Sequence, residues 1–256
     1  THVPLSKDLK ENGYKLTKNE TYVDGLFSVL YDVHNKLILD INHEDSSERK
    51  LFEHQIKLLR KNDIILLDRG YYSKKLLFCL TSKNIFPIFR LTSNLNIYKD
   101  FIKSGIDDKL YEILDDKSEN IVKLRLVKYI INKSVFVIAT TLYNANKDTL
   151  SGLYKSRWDI EECNKMLKYN LSFDKFHSKN IKSIRKEIYT HIFIHSLTRL
   201  LENSYIHYNK IDIDNKKTNL KINLKMTTEK ILTLLLYDKN GTNKIFIPSS
   251  ANNLES

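Results

Sequence analysis

Residues 64–71 read Ile64-Ile65-Leu66-Leu67-Asp68-Arg69-Gly70-Tyr71, four apolar side chains followed at once by a carboxylate, a cation and a glycine. A short, continuous apolar run predicts a strand that is buried on both faces. Ser73 can cap a helix over residues 73–82, and residues 85–90 are again strand-like. A strand, a helix and a second strand in this order favour a parallel crossover, so an α/β fold is expected.

A β-hairpin and a helix are predicted before this unit. Residues 26–33 and 37–41 are rich in β-type side chains and flank His34-Asn35-Lys36, which places Asn35 in the turn. A helix is predicted over residues 46–60, because Asp45 and Glu48 have the spacing of a capping box.

Beyond residue 90 the pattern becomes β-rich and then helical. Residues 94–116 are polar and predict irregular structure, whereas residues 122–129 and 134–140 predict two strands. Helical periodicity resumes over residues 148–169 and again over residues 183–205. We therefore expect a β-rich insert followed by two helices.

The chain is strongly basic, with a formal charge of +11 and a pI near 9.3. A polyanionic partner explains this charge, because phosphate neutralisation dominates nucleic-acid affinity. Codon bias in an A/T-rich genome explains it equally well, since Lys, Asn, Ile and Tyr are all abundant. No apolar run approaches the roughly 18 residues of a membrane helix, so no membrane association is expected. Composition alone does not decide the function.

The most specific pattern is the segment Tyr154-Lys-Ser-Arg-Trp-Asp-Ile-Glu-Glu-Cys-Asn-Lys-Met-Leu-Lys168. On a continuous helix with about 100° per residue, one narrow arc holds Tyr154, Arg157, Glu161 and Lys168. Such a stripe suits phosphate chemistry, because a carboxylate binds divalent cations while Arg and Lys bind phosphate oxygens. The alternative is a solvated face with an Arg157–Glu161 ion pair, which spacing alone favours.

Asp68 is the second candidate residue. It stands at the carboxyl end of the predicted strand, where open α/β sheets place ligand-binding groups. The other interpretation is an aspartate that caps the following turn. Local sequence leaves both interpretations open.

Histidines and cysteines do not predict a metal centre. His191 and His195 are four residues apart but lie in an otherwise apolar helix, so core or interface histidines are expected rather than zinc ligands. Cys79 and Cys163 each stand alone, which favours buried thiols in a reducing compartment.

Together these segments resemble the DDE transposases of bacterial insertion sequences, in the branch called the insertion-sequence-four family. The signature of that family is Tyr, two residues, Arg, three residues, Glu, six residues, Lys. The chain satisfies it at every interval with Tyr154, Arg157, Glu161 and Lys168. Asp68-Arg69-Gly70-Tyr71 resembles the motif around the second aspartate of the family, and the resemblance covers about residues 1–200.

The resemblance implies an RNase H-like mixed sheet flanked by helices, with a β-rich insert between the second and third catalytic carboxylates. It implies that Asp68 and Glu161 are those carboxylates and that they share a site for two Mg²⁺ ions, for which Mn²⁺ can substitute. The residues implied to contact DNA are Tyr154, Arg157, Lys168, Trp158 and Arg69.

The same resemblance divides the chain into four segments. Residues 1–90 would be the N-terminal half of the catalytic domain, residues 91–145 the insert, and residues 146–205 the C-terminal helices of the catalytic domain. Residues 206–256 would be an extension with a short helix, at residues 229–237, and a flexible tail.

The first carboxylate of the family has no clear counterpart. It is expected just upstream of Thr1, so this chain is expected not to cleave DNA by itself. Asp24 and Asp32 are internal candidates, although the sequence favours neither.

The expected activity is metal-dependent hydrolysis and strand transfer of DNA phosphodiesters at transposon ends. The expected partners are double-stranded DNA, as transposon ends and as target, and a second copy of the chain in the DNA complex. The expected location is intracellular and nucleoid-associated. Two alternatives stay open: a nuclease of the same fold, and a decayed or domesticated transposase that binds DNA without cleaving it.

Overall fold

The computed structural model describes residues 27–43, 48–116, 118–170, 176, 178 and 180–208, together with the backbone of five short strands outside these ranges. The chain divides into two compact units. We call Phe52–Trp158 the sheet unit, and Thr1–Leu51 with Asp159–Ser256 the hairpin unit.

The hairpin unit contains the predicted β-hairpin. Strands β1 (His2–Pro4), β2 (Lys15–Leu16) and β3 (Tyr22–Asp24) pair antiparallel in the order β1-β3-β2. Strands β4 (Phe27–Asp32) and β5 (Leu37–His43) form a separate antiparallel pair. The residues between β4 and β5 form the turn, which confirms the predicted position of Asn35.

The helix predicted over residues 46–60 is shorter in the structure. Helix α1 (Glu48–Gln55) is followed by a 3-10 turn at Ile56–Leu58, and α1 crosses the boundary between the two units. The predicted capping box at Asp45 lies outside the described residues.

The predicted strand–helix–strand unit is confirmed. Strand β6 (Ile64–Leu67), helix α2 (Lys74–Ser82) and strand β7 (Phe86–Arg90) follow one another, and β6 pairs parallel with β7. The Ser73 hydroxyl oxygen accepts a hydrogen bond from the Leu76 backbone N–H at 3.2 Å, so the predicted N-cap forms.

The prediction that β6 is buried on both faces is wrong. Ile64 is 42% exposed, and burial is complete only at Leu67. The reason is the position of the strand, since β6 stands at one end of the strand order among the described strands of this sheet.

Residues 94–116 are more regular than predicted. They contain helix α3 (Asn96–Lys103) and strand β8 (Asp108–Leu114). The helix is anchored by Phe101, which is fully buried and meets the Tyr111 ring edge-on at 6.2 Å. Ile97, Tyr98 and Phe101 stand at helical spacing, so the sequence carried a signal that the polar composition of residues 94–116 obscured.

The sheet unit is built on one five-stranded mixed sheet. Strands β9 (Ile121–Ile131) and β10 (Ser134–Thr140) complete it in the order β6-β7-β10-β9-β8, with every pair antiparallel except β6–β7. Helix α4 (Lys147–Ser156) packs Leu150 against Ile88, Val127 and Ile138 of the sheet. The expected mixed sheet flanked by helices is therefore confirmed.

The single helix predicted over residues 148–169 is two helices. After α4, Arg157 and Trp158 form a turn, and helix α5 (Asp159–Asn170) begins. The backbone N–H groups of Arg157 and Trp158 donate to the carbonyls three residues earlier, at 3.2 and 3.0 Å. This 3-10-type closure tightens the last turn and ends α4. The acidic first turn of α5 then favours a new helix start.

The core of the hairpin unit lies between the hairpin and its helices. Helix α6 (Ile181–Tyr208) confirms the helix predicted over residues 183–205. It packs Ile184 and Ile188 against Ile38 of β5 and Leu167 of α5. Strands β11 (Lys221–Ile222) and β12 (Leu254–Glu255) form a two-stranded pair. The predicted helix at residues 229–237 and the polar tail lie outside the described residues.

Candidate functional site

Asp68 lies directly after β6, at the end where the parallel strands β6 and β7 finish. The chain turns sharply there, because the Tyr71 backbone N–H donates to the Asp68 carbonyl at 3.0 Å. The Asp68 side chain is partly buried, whereas the Arg69 side chain is exposed. The carboxylate thus stands at the edge of a parallel pair, where α/β sheets place ligand-binding groups.

Tyr154 reaches Asp68 from α4. Its phenol oxygen donates a hydrogen bond to Asp68 Oδ1 at 3.2 Å. Asn146 starts α4 by accepting a hydrogen bond from the Thr149 backbone N–H at 2.7 Å. The Tyr154 ring packs against the core cluster that includes Leu150 and Ile88. The helix cap and the core together fix the position of the phenol.

Arg157 stands beside Tyr154 at the end of α4. Its guanidinium carbon lies 5.7 Å from the centroid of the Tyr154 ring, within range of a cation–π contact. The side chain is partly buried, and its charge acts on Asp68. Three residues that the sequence predicted for the site therefore come together in the sheet unit.

Arg90 belongs to the same group, although the sequence reasoning missed it. It is the last residue of β7, and its guanidinium carbon lies 4.4 Å from the centroid of the Phe136 ring. A signal was present, since Arg90 ends the second parallel strand just as Asp68 follows the first. Arginines at strand ends are often simply exposed to solvent. The position of Arg90 at the end of a strand was therefore not enough to identify it as a site residue.

The electrostatics of the group keep Asp68 ionised. Burial alone would raise the pKa of the Asp68 carboxyl, but the Arg69 backbone N–H and the Arg157 charge outweigh it and lower that pKa. The Tyr154 hydroxyl and, more weakly, Arg90 act in the same direction. Burial and the neighbouring Asp68 charge raise the pKa of Tyr154 to about 12, so the phenol keeps its proton and acts as a donor.

The remaining signature residues lie in the other unit. Glu161 and Lys168 are on α5, where the Glu161 side chain is partly buried and Lys168 is exposed. The turn at Arg157–Trp158 interrupts the chain between Tyr154 and Glu161, so the four residues do not lie on the one continuous helix that was predicted. Trp158 itself is 56% exposed.

Asp32 has a structural role in the hairpin turn. Its carboxylate accepts hydrogen bonds from the backbone N–H groups of His34 and Asn35 at 2.9 and 3.0 Å, and from Asn35 Nδ2 at 2.7 Å. The side chain of Asp24 lies outside the described residues.

His195 is a core residue, as expected. It is 1% exposed, and its Nε2 lies 3.7 Å from Cys163 Sγ. In the described part of the chain, no group of three or more His, Cys, Asp or Glu side chains is placed to hold a metal ion. None of the helices described combines the length and the apolar character that crossing a membrane requires.

Comparison with known proteins agrees with the motifs. The family model described as "Transposase DDE domain" matches residues 1–197. A putative transposase for insertion sequence element IS4SA, from Synechocystis sp., is 24% identical over 169 residues. That alignment covers 63% of this chain and 48% of the relative, so the chain spans about half of that protein. The family match covers most of the chain, and the chain belongs to the family of transposases that carry the DDE domain.

Proposed function

We propose that this chain supplies catalytic residues for metal-dependent hydrolysis and strand transfer of DNA phosphodiesters at transposon ends. The observation that carries the proposal is the grouping of an ionised Asp68 with Tyr154 and Arg157 at the end of a parallel strand pair. A carboxylate, a phenol donor and a guanidinium within one site can serve a metal ion and a phosphate together.

Asp68 and Glu161 are proposed as two carboxylates of a Mg²⁺ centre. The fit rests on donor chemistry, since Mg²⁺ and Mn²⁺ prefer carboxylate oxygens and the lowered pKa of Asp68 keeps its oxygens charged at neutral pH. When bound, two such ions would activate the attacking oxygen and stabilise the leaving oxygen.

The residues around Asp68 are proposed to bind and orient the phosphodiester. Arg157 can bind two phosphate oxygens with its planar fork, and the Tyr154 ring beneath it limits its freedom. Lys168, Trp158 and Arg69 are exposed and are proposed as further DNA contacts. The proposed partners are double-stranded DNA and a second copy of the chain, and the proposed location is the nucleoid.

Binding of the full chain to a short fluorescent DNA duplex in EDTA tests the DNA contacts without cleavage. We expect the affinity of the wild type to fall steeply with salt, and Arg157→Gln to reduce the log–log slope by about one unit, because one phosphate contact is lost. Lys109→Gln is the matched control: Lys109 is a cation over the Tyr111 ring on β8, at the other end of the strand order. Equal slopes for wild type and Arg157→Gln would exclude the phosphate contact.

Binding of Mn²⁺, followed by electron paramagnetic resonance, tests the metal centre separately. We expect Asp68→Asn and Glu161→Gln each to weaken Mn²⁺ binding, because each removes a charged oxygen ligand. Asp116→Asn is the control, since that exposed carboxylate pairs with Lys74 at 2.6 Å and is not a candidate ligand. Unchanged Mn²⁺ affinity in Asp68→Asn would rule out its role as a ligand.

A further inference from the structure

We infer that Arg90 is a second phosphate-binding guanidinium of this site and that the Phe136 ring is the platform that holds it. The inference rests on the proposed function, which it extends by one binding residue.

The strand register places Arg90 beside Asp68. In the parallel pair β6–β7, Leu67 is the partner of Phe89. Asp68 directly follows the last residue of β6, and Arg90 is the last residue of β7. Their side chains therefore leave the sheet at the same edge.

Both side chains also emerge on the face that α4 covers. Leu66 and Ile88 pack in the core cluster with Leu150 and Tyr154 of α4. Alternate residues of a strand share a face, so Asp68 shares the face of Leu66, and Arg90 shares the face of Ile88. Arg90 thus points to the side of the sheet on which Tyr154 meets Asp68.

The platform comes from the neighbouring strand β10. Ile138 is the direct partner of Arg90 in the antiparallel pair β7–β10, and Phe136 lies two residues away on the same face. Such diagonal neighbours are within reach of long and aromatic side chains. The guanidinium carbon of Arg90 lies 4.4 Å from the Phe136 ring centroid, a cation–π contact that limits the motion of the side chain.

The charge of the group favours an anion. Arg90 and Arg157 together carry two positive charges and face one carboxylate, Asp68, whose pKa both of them lower. The three side chains therefore keep a net positive charge, which a phosphate oxygen can neutralise. Each of the two guanidiniums is held over an aromatic ring, so both are partly ordered before DNA binds.

The test is the salt dependence of duplex binding for Arg90→Gln, measured with the full chain in EDTA. We expect the log–log slope to fall by about one unit, as for Arg157→Gln, while Lys109→Gln leaves it unchanged. Arg90→Lys should restore the slope, because it restores the charge, but not the full affinity, because Lys lacks the planar fork. If Arg90 only stabilises the sheet, Arg90→Gln lowers the melting temperature and its slope equals that of the wild type, which would overturn the inference.

A second measurement does not depend on the folding of a variant. Phenylglyoxal modifies arginines that solvent reaches, and the reaction is continued until the half-buried Arg90 is measurably modified in the free wild type. Mass spectrometry then compares the modification of Arg90 with and without duplex. Protection of Arg90 by the duplex supports the inference, and equal modification overturns it. Failure of the proposed function has a different signature, since the wild type would then show no salt-dependent duplex binding at all.

Discussion

Replacing Tyr154 by phenylalanine removes one hydroxyl and leaves the aromatic ring in the core of the sheet unit. The hydroxyl donates to Asp68 Oδ1 at 3.2 Å, and the acceptor is an ionised carboxylate. Hydrogen bonds to charged groups contribute about 1.5–3 kcal/mol, and the long distance places this one at the lower end. We therefore expect Tyr154→Phe to lower the free energy of unfolding by about 1.5 kcal/mol at pH 7.

The loss should depend on pH, and its sign follows from the pKa of Asp68. That pKa is lower in the folded chain than in the unfolded chain, so its stabilising contribution is present above the unfolded value. This stabilising contribution disappears as the pH falls through the pKa of Asp68 in the folded chain, because the carboxyl then gains a proton. Without the Tyr154 hydroxyl, the folded pKa of Asp68 should rise towards its unfolded value, so the cost of the substitution should shrink in acid.

Urea unfolding at neutral pH and at several acid values measures this dependence. Tyr129→Phe is the matched control, since the Tyr129 hydroxyl donates at 2.7 Å to the backbone carbonyl of Lys147, which does not titrate. The Tyr129 ring packs against the same core cluster as Tyr154. Tyr129→Phe should cost about 1 kcal/mol at every pH. If the cost of Tyr154→Phe is also constant with pH, its hydroxyl does not bind an ionised Asp68 and the reasoning fails.

Two further predictions concern stability. Ser73→Ala should lower the free energy of unfolding by about 1 kcal/mol, because it removes the hydroxyl that accepts from the Leu76 N–H at the start of α2; an unchanged urea midpoint would contradict this cap. Burial, assisted by Arg199, lowers the pKa of His195 to about 4, so the wild type should lose stability as the pH falls from about 6.5 towards 4. His195→Gln should flatten this loss in urea titrations, and an equal slope in both proteins would show that another group causes it.

Local sequence patterns predicted the elements that position Asp68. The apolar run before Asp68 and the hydroxyl of Ser73 are signals that act within a few residues, and β6, α2 and β7 follow from them. The pairing of Tyr154 with Asp68 joins distant parts of the chain. Only the resemblance to a known family could place these two residues in one site before the structure did.

Two features could not be predicted from the sequence. The helix break at Arg157–Trp158 depends on backbone hydrogen bonds to carbonyls three residues earlier, and neither Gly nor Pro marks it. The role of Arg90 depends on Phe136, which reaches it only through the pairing of β7 with β10. The helix break depends on backbone hydrogen bonds, and the Arg90–Phe136 contact depends on the order of strands in the sheet. The spacing of apolar side chains in the sequence predicts neither.

Tyr154 has two structural roles. Its ring packs against the core cluster of the sheet unit, and its hydroxyl donates a hydrogen bond to Asp68. In a library randomised at residue 154, small or charged side chains would leave a cavity or bury a charge, so most members would be removed by misfolding. Phenylalanine would be the main variant that survives without the hydroxyl. Residue 157 ends α4 with a half-buried, charged side chain, so substitutions there would test the proposed phosphate contact more than the apolar core. A screen that keeps only folded variants would therefore retain few substitutions at residue 154. The number of substitutions accepted at a position reflects how far its side chain packs in the core, as well as its role in the site.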